Sequence, residues 1–252
     1  EADQWLSIAR WAHHDRCVMP ELVGHGVWLE GGRHILLGVE PDPVTYGLGQ
    51  AAIKGDQQSL ALLTGANSGG KTTLLECLAY ACILGHMGLP VPAARARIGK
   101  VEALHILAKA GGTQSAGALE QTLVELATVV SDPTPKLILA DELEAITEPG
   151  AGARIIAGML LAAEAQKDTT MLLVTHLAPA ILAATKRDDL RVDGIEASGL
   201  GADLELLVDR TPKRNHLARS TPELIVKRLV EKSSGHTKAL FGDILGMFAE
   251  DD

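Results

Sequence analysis

Residues 59–76 read SLALLTGANSGGKTTLLE, and this stretch decides the fold of the chain. Its apolar beginning, residues 60–63, is typical of a buried strand. The pattern G-x-x-x-x-G-K-T then runs from Gly65 to Thr72, and the apolar spacing after it is that of a helix. A strand, a glycine-rich loop and a helix in this order predict a phosphate-binding loop, because backbone N–H groups and the positive helix end then face one anion.

The residues of this loop have separate expected roles. Glycines let the backbone turn so that several N–H groups meet the phosphates. Lys71 is expected to reach the β- and γ-phosphates, and the Thr72 hydroxyl is expected to ligate Mg²⁺. The alternative is a glycine turn that binds nothing, and the flanking strand and helix count against it. The predicted nucleotide-binding residues of the loop are Gly65, Ala66, Asn67, Ser68, Gly69, Gly70, Lys71, Thr72 and Thr73.

Composition limits the classes of function. The 252 residues, of which 46% are hydrophobic, suffice for one large domain or for a main domain with a smaller attachment. A net charge of −9 argues against binding nucleic acid by bulk electrostatics, and 3% aromatic residues do not suggest a base-stacking platform. The three cysteines lack metal-ligand spacing and suit a reduced interior. With no apolar run near the roughly 18 residues of a membrane span, we expect a cytoplasmic protein without membrane contact.

A second motif lies at residues 136–142, which read KLILADE. Four apolar residues lead into Asp141 and Glu142, as expected for a buried parallel strand that ends in two carboxylates. Ligands of α/β sheets bind at the carboxyl ends of the strands. Asp141 is therefore predicted to hold Mg²⁺, and Glu142 to orient the attacking water. The alternative is an exposed acidic turn after a strand.

A third candidate follows the apolar run TMLLVT at residues 170–175. His176 comes directly after this predicted strand, where its ring N–H is placed to contact a γ-phosphate. A structural histidine is the alternative interpretation. The functional interpretation of His176 is favoured, because its strand is the next predicted strand after the one that ends in Asp141 and Glu142.

The remaining segments are less specific. Gly31 and Gly32 predict a hairpin turn between two strands, and Tyr46 is either an adenine contact or a surface side chain. Residues 210–219 form the most basic stretch, either a solvated loop or a contact for a partner or DNA. The apolar stripe of a last helix, near residues 237–248, is expected to pack on its own domain or to form a dimer interface.

Four segments in order carry a resemblance to a known family: TGANSGGKTTLLE, GLPVPAARARIGKVEALHIL, LILADELEAITEPGAG and LLVTHL. They resemble the ATPase domain of MutS proteins, as does GGRH upstream. Asn67 in the loop and the Val-Pro-Ala element at residues 91–93 distinguish this family from most phosphate-loop ATPases. The resemblance covers residues 27–180 well and the C-terminal part loosely. GANSGGKT is similar to the mismatch-independent branch, which is tied to recombination and branched DNA.

The resemblance implies an α/β fold, a P-loop NTPase of the ABC-ATPase type. A central, mostly parallel sheet is flanked by helices, with a small β-rich N-terminal part and C-terminal helices. The implied division is an N-terminal helix and β-rich subdomain at residues 1–58, the ATPase core at 59–210 and a helical dimerisation region at 211–252. Because the first residue is Glu1 rather than Met, we expect either a fragment of a longer protein or a processed chain.

The implied activity is Mg²⁺-dependent hydrolysis of ATP by a homodimer with composite sites, in a DNA repair or recombination protein. Lys71, Glu142 and His176 are the implied catalytic residues, and Thr72 and Asp141 the implied Mg²⁺ ligands. The partner's signature loop closes each site, and here it is expected at residues 114–117. The family usually has a Ser-Thr-Phe run near this position, and this chain lacks it. The signature position is therefore either Ser115 or Gly117. DNA is expected to contact domains outside this segment.

A second departure from the family and two rival functions remain open. Where the family tends to have Gly-x-Gly-Thr-Asp-Pro, residues 144–149 read EAITEP. This change affects how the loop meets an opposite subunit and leaves Asp141 and Glu142 intact. Another ABC-type repair ATPase would need an LSGGQ-like signature and a long heptad insertion, which the sequence does not contain. The rival from a different class is a nucleotide-gated dimerisation or DNA-clamp module with little turnover.

Overall fold

A computed structural model of the chain describes residues 2–38, 41–66, 69–108, 116–143, 148–218 and 222–248, with the backbone alone at 116–119 and 122. Helices and strands alternate through the central part, as the apolar runs predict. Within these ranges the elements are α1 (Ala2–His14), β1 (Glu21–Val23), β2 (Val27–Gly32), β3 (Val44–Leu48), β4 (Leu60–Gly65), α2 (Lys71–His86), β5 (Arg95–Gly99), β6 (Ala103–Ala108), α3 (Ala116–Ser131), β7 (Lys136–Asp141), α4 (Pro149–Glu164), β8 (Thr169–Val174), α5 (Ala178–Thr185), β9 (Arg191–Ile195), β10 (Ala197–Leu200), β11 (Leu206–Val208), α6 (Pro222–Lys232) and α7 (Gly235–Phe248).

The central sheet has five parallel strands in the order β6-β7-β8-β4-β9. Both faces are covered, so β4 and β8 consist entirely of buried residues, which explains their continuous apolar sequence. The predicted α/β class with a mostly parallel sheet is confirmed. Since all five strands run the same way, the residues that follow β4, β7 and β8 meet at one edge.

Alternating residues of each central strand pack on opposite faces of the sheet. Ala61 and Leu63 belong to an apolar cluster with α2 and the strands β2 and β3. Leu60 and Leu62 belong to a second cluster with α3, α4 and α5. Burial of each such leucine contributes on the order of 1.5–3 kcal/mol to folding. The two clusters fix β4 from both sides, and with it the start of the glycine-rich loop.

A second sheet, in the order β1-β5-β2-β3, covers the α2 side. Gly31 and Gly32 do not form the predicted hairpin turn. Both lie in β2, whose antiparallel partners are β3 and β5. The register of β2 against β3 shifts between Leu29 and Gly32, where Gly31 has a φ of 58°, so the glycines produce a bulge instead.

The two C-terminal helices, α6 and α7, pack against each other, and neither contains a buried residue. On the predicted stripe of α7, Phe241, Ile244 and Leu245 are half-buried, while Leu240 and Phe248 are exposed. The apolar stripe is thus only partly covered within the chain. The boundaries between residues 58 and 59 and between 210 and 211 stay predictions. Among the helices of the described ranges, none is long and apolar enough to cross a membrane.

A buried ionic network lies behind the glycine-rich loop. The side chains of Arg191 and Asp193 on β9 are 2% and 0% exposed, with 2.7 Å between Arg191 Nη2 and Asp193 Oδ2. The Tyr46 hydroxyl donates to Asp193 Oδ2 at 2.8 Å, and the Arg191 guanidinium lies 5.2 Å from the centre of the Tyr46 ring. Tyr46 is therefore neither an adenine contact nor a surface residue. Burial of the Tyr46 hydroxyl is the main cause that raises its pKa well above the usual range, and the negative charge of Asp193 raises it further. The hydroxyl therefore stays protonated and remains a donor.

The same aspartate connects this network to the loop. Thr64, which precedes Gly65, donates its hydroxyl to the Asp193 carbonyl at 3.1 Å and accepts from the Ala218 N–H at 3.0 Å. Asp193 Oδ1 accepts from the Asn215 N–H at 3.1 Å. The network thus fastens the end of β4 to the chain beyond β11, so the base of the loop has a fixed position.

Asp193→Asn should lower the free energy of unfolding by about 3–5 kcal/mol, because it leaves the Arg191 guanidinium buried without its counter-charge. Urea unfolding followed by circular dichroism measures the change. Glu196→Gln is the control, since this carboxylate is 39% exposed in its pairs with Lys213 and His216, and the variant should unfold at nearly the same urea concentration as wild type. Equal stability of the two variants would contradict the importance of the buried network.

Candidate active site

Two glycines of the loop have conformations that other residues rarely adopt. Gly65 ends β4 with a φ of 133°, and a Cβ there would lie 2.1 Å from the Ile195 carbonyl oxygen. Gly70 precedes α2 with a φ of 90°. Glycine at these positions is required by the backbone, which agrees with the phosphate-loop interpretation. Asn67 and Ser68, also predicted to bind nucleotide, lie outside the described residues.

The N-terminus of α2 opens onto a pocket. Gly70 is the residue before the helix, and the described residues provide no side-chain cap there. The first N–H groups of a helix have no intrahelical partner, and they attract anions. The pocket has a volume of about 240 Å³. Its lining residues are Gly69, Gly70, Lys71, Thr72, Thr73, Glu142 and Arg210.

The Lys71 side chain points toward the first residues of the loop. It is 6% exposed, and its Nζ donates to the carbonyl oxygens of Gly65 at 2.8 Å and Ala66 at 2.9 Å. The ammonium group is thus held at the start of the loop, next to the pocket that Lys71 helps to line. A positive charge in this position suits an anionic ligand.

Thr72 and Asp141 are brought together from different elements. The Thr72 hydroxyl donates to Asp141 Oδ2 at 2.6 Å, joining the first turn of α2 to the end of β7. Both groups are oxygen ligands of the kind that Mg²⁺ prefers, and this ion usually takes only one or two protein ligands beside water and phosphate oxygens. The pair therefore fits a magnesium ion that is shared with a phosphate ligand.

Glu142 and His176 are in direct contact. Their Oε1 and Nε2 atoms are 2.8 Å apart, and the side chains are 31% and 32% exposed. Glu142 has a φ of 48°, which is uncommon for a residue with a side chain, and its N–H donates to the Val174 carbonyl at 3.0 Å. Backbone strain of this kind persists where surrounding structure enforces it, often at functional sites. The edge of the sheet thus unites the two predicted catalytic residues that follow β7 and β8.

A second pocket adjoins the first and shares Gly70, Thr73 and Arg210 with it. Its volume is about 330 Å³. The two pockets form one cleft, with the phosphate loop at one end and the second sheet at the other. The other lining residues of the second pocket are Gly32, His34, Leu37, Pro41, Asp42, Val44, Leu74 and Cys77.

His34, from the GGRH segment, shapes the wall of this second pocket. Its Nδ1 accepts the Leu36 N–H at 3.2 Å, and its Nε2 lies 3.0 Å from a carboxylate oxygen of Glu76. Because Nδ1 is an acceptor, the proton is on Nε2, which donates to Glu76. The edge of the ring also contacts Tyr80, with 5.3 Å between ring centres. His34 therefore fastens the turn at residues 34–37 onto α2.

The cysteines are free thiols, as the sequence indicates. Cys77 and Cys82 are buried and Cys17 is half-buried. Burial raises the pKa of each thiol to about 11. They are therefore protonated at neutral pH and behave as small apolar side chains, of which Cys77 lines the second pocket.

Arg210 is a residue of the cleft that the sequence interpretation missed. The described part of the basic stretch, residues 210–218, is a largely exposed loop whose charges are paired: Arg210 pairs with Asp42 at 2.8 Å, Lys213 pairs with Glu196, and Arg214 pairs with Asp56. The local excess of positive charge was the only signal in the sequence. It did not reveal that Arg210 reaches the phosphate loop.

The predicted signature loop is only partly covered by the structure. Ser115 lies outside the described residues, as do residues 144–147 of the loop after the acidic pair. Gly117, the other candidate, lies in the first turn of α3. The role of either residue across a dimer stays a prediction.

The sequence is similar to those of known proteins. Residues 61–214 match the family described as MutS domain V. The chain is 42% identical to DNA-binding protein MutS2 of Pyrococcus furiosus, over 92% of this chain and 41% of that protein. It is 31% identical to DNA mismatch repair protein MutS of Oleidesulfovibrio alaskensis, and 33% identical to Endonuclease MutS2 of Clostridium tetani, over 64% of this chain in both cases. These matches cover 17% and 20% of the two relatives, so the chain spans less than half of each of these three proteins.

Gly65→Ala should destabilise the fold by about 1–3 kcal/mol, because the methyl group would collide with the Ile195 carbonyl at a φ that alanine avoids. Gly158→Ala is the control, since a Cβ at this helical position contacts nothing within 4 Å and should stabilise α4 by up to about 1 kcal/mol. Chemical denaturation measures both. A Gly65→Ala variant as stable as wild type would contradict the described loop geometry.

Proposed function

Because this chain belongs to the MutS family through its domain V, we propose that it binds ATP and hydrolyses it to ADP and phosphate with Mg²⁺. One observation carries the proposal: the chemistry-bearing residues after β4, β7 and β8 converge at one edge of the sheet. Phosphoryl transfer needs mainly positioning and charge stabilisation, and the residues at this edge can provide both.

Binding would depend on the phosphate loop. Backbone N–H groups from Ala66 to Thr72 would cradle the phosphates, with the N-terminus of α2 behind them. The Lys71 ammonium, now bonded to two loop carbonyls, would turn to the β- and γ-phosphates. Thr72 and Asp141 would hold Mg²⁺, which when bound supplies positive charge to the phosphate oxygens. The second pocket, beside His34, is of a size and mixed polarity that suit the base and sugar.

Catalysis would depend on the pair Glu142 and His176. An ionised carboxylate accepts hydrogen bonds, so His176 Nε2 is the donor in the 2.8 Å contact. This bond orients the Glu142 carboxylate toward the pocket that it lines. Glu142 would then accept a hydrogen bond from the attacking water, and His176 would contact the γ-phosphate as its sensor.

The wider assignment is a homodimer with composite sites, working in DNA repair or recombination in the cytoplasm. The partly exposed apolar stripe of α7 supports a second copy as partner, and Ser115 or Gly117 would act across the interface. The relatives' names refer to DNA binding and mismatch repair. With a net charge of −9, this chain suits a role as the ATPase part, with DNA held by other segments.

Glu142→Gln should retain ATP binding and reduce hydrolysis by about 10²–10⁴-fold, because the amide cannot serve as the base for the attacking water. Phosphate release and binding of a fluorescent ATP analogue measure the two steps separately. Glu164→Gln is the control, since this carboxylate pairs with Arg187 at the opposite edge of the sheet, and both steps should be unchanged. Normal turnover in Glu142→Gln would contradict the role of Glu142.

Glu142→Gln should also form a dimer with ATP, because slow hydrolysis maintains the closed state. Light scattering after size-exclusion chromatography measures the mass with and without ATP. A mass that stays that of one chain would contradict the composite site formed by this segment. If wild type dimerises with ATP and releases no phosphate, the chain is instead the nucleotide-gated dimerisation module.

A further inference from the structure

Arg210 lies where the two pockets of the cleft meet. It lines both of them, and its Nη1 atom is 3.7 Å from the position of a Cβ on Gly70. Its Nε atom is 2.8 Å from Oδ2 of Asp42, and the two side chains are 51% and 69% exposed. The Arg210 guanidinium therefore lies next to the phosphate loop, and its ion pair is with Asp42 on the other side of the cleft.

The position defines which part of a nucleotide the guanidinium can meet. A base in the larger pocket and terminal phosphates in the smaller one place the sugar and the α-phosphate between them. Among the described residues that line the two pockets, the other lysine or arginine is Lys71, which is nearly buried within the phosphate loop. Its charge is directed to the terminal phosphates, so Arg210 is the positive group at the junction.

On the basis of the proposed nucleotide function, we propose that Arg210 binds the α-phosphate of the nucleotide and that Asp42 competes with this phosphate for the guanidinium. Ion pairs between half-exposed groups are weak. A guanidinium forms stronger, two-pronged bonds with phosphate oxygens. Arg210 therefore gains by exchanging the Asp42 carboxylate for the phosphate. Because the ion pair with Asp42 must first be broken, Asp42 lowers the affinity for the nucleotide.

This competition predicts effects of opposite sign for the two partners. Arg210→Ala should weaken ADP binding by at least about tenfold, the loss expected for a hydrogen bond to a charged group. Asp42→Asn should tighten ADP binding about two- to fivefold, the equivalent of one exposed ion pair. Arg210→Lys should lie between wild type and alanine, since lysine retains the charge and loses the fork geometry.

If the ion pair between Arg210 and Asp42 serves only to hold the two walls of the cleft together, the expected effects on ADP binding are different. If the pair only fastened Asp42 to the chain after β11, both substitutions would loosen the cleft and weaken ADP binding. The sign of the Asp42→Asn effect therefore separates the two roles. The double variant adds a second test: competition acts only through Arg210, so Asp42→Asn should have no effect in the Arg210→Ala background.

The experiment is calorimetric titration of this chain and its variants with ADP, and with adenosine as the probe that lacks phosphate. Lys213→Ala is the matched control, because it removes an ion pair from the same basic stretch without lining either pocket, and ADP affinity should be unchanged. Arg210→Ala should leave adenosine affinity unchanged. Thermal unfolding without ligand should give similar Tm values for all variants.

Two failures can be told apart. A wild-type chain that binds neither ATP nor ADP would overturn the proposed function itself. If wild type binds ADP and Asp42→Asn weakens binding as Arg210→Ala does, the competition is wrong and the ATPase proposal stands. An equal loss of ADP and adenosine affinity in Arg210→Ala would likewise overturn the phosphate contact.

Discussion

Parallel hydrogen bonding of β8 between β4 and β7 is the constraint on which the candidate site depends. In the register of these strands, Val174 is the neighbour of Leu63 on one side and of Asp141 on the other. The ends of β7 and β8 are therefore level and β4 extends two residues further, so the residues just beyond the three strands lie at one edge of the sheet. No single motif does this, because each motif specifies only the few residues at the end of its own strand. The sheet converts three separate motifs into one arrangement of lysine, hydroxyl, carboxylate and imidazole groups.

The loop also depends on the network that lies behind it. Arg191, Asp193 and Tyr46 are fully or nearly buried, and Thr64 joins this network immediately before Gly65. Buried charges are tolerated only when they are paired and hydrogen-bonded, so the network has one well-defined arrangement. It makes the end of β4 a rigid support for a loop whose glycines have unusual backbone angles. Rigidity at this point would serve the proposed phosphoryl transfer, which depends on positioning.

The second half of the cleft comes from the N-terminal sheet and from the chain after β11. His34 fixes a turn at the wall of the larger pocket, and the pair of Arg210 and Asp42 spans the junction with the smaller one. These residues come from segments with weak sequence signals. Their contacts arise because β5, which follows α2 in the chain, pairs with β1 and β2 and so draws the second sheet over that helix. The lining of the cleft is thus a property of packing between segments distant in sequence.

Sequence by itself determined the α/β class. It also placed Lys71 and Thr72 at the start of a helix, and Asp141, Glu142 and His176 at the ends of two strands, because local apolar runs and a glycine pattern carry that information. It misplaced Tyr46 and the glycine pair in β2, and it missed Arg210. An aromatic ring, a glycine pair or a basic run has the same local appearance whether it is buried, bulged or ion-paired. Tertiary structure alone decided these cases, since burial and charge pairing depend on which distant segments pack together. The same physical reason explains why Asp42 and Arg210 face each other across the cleft.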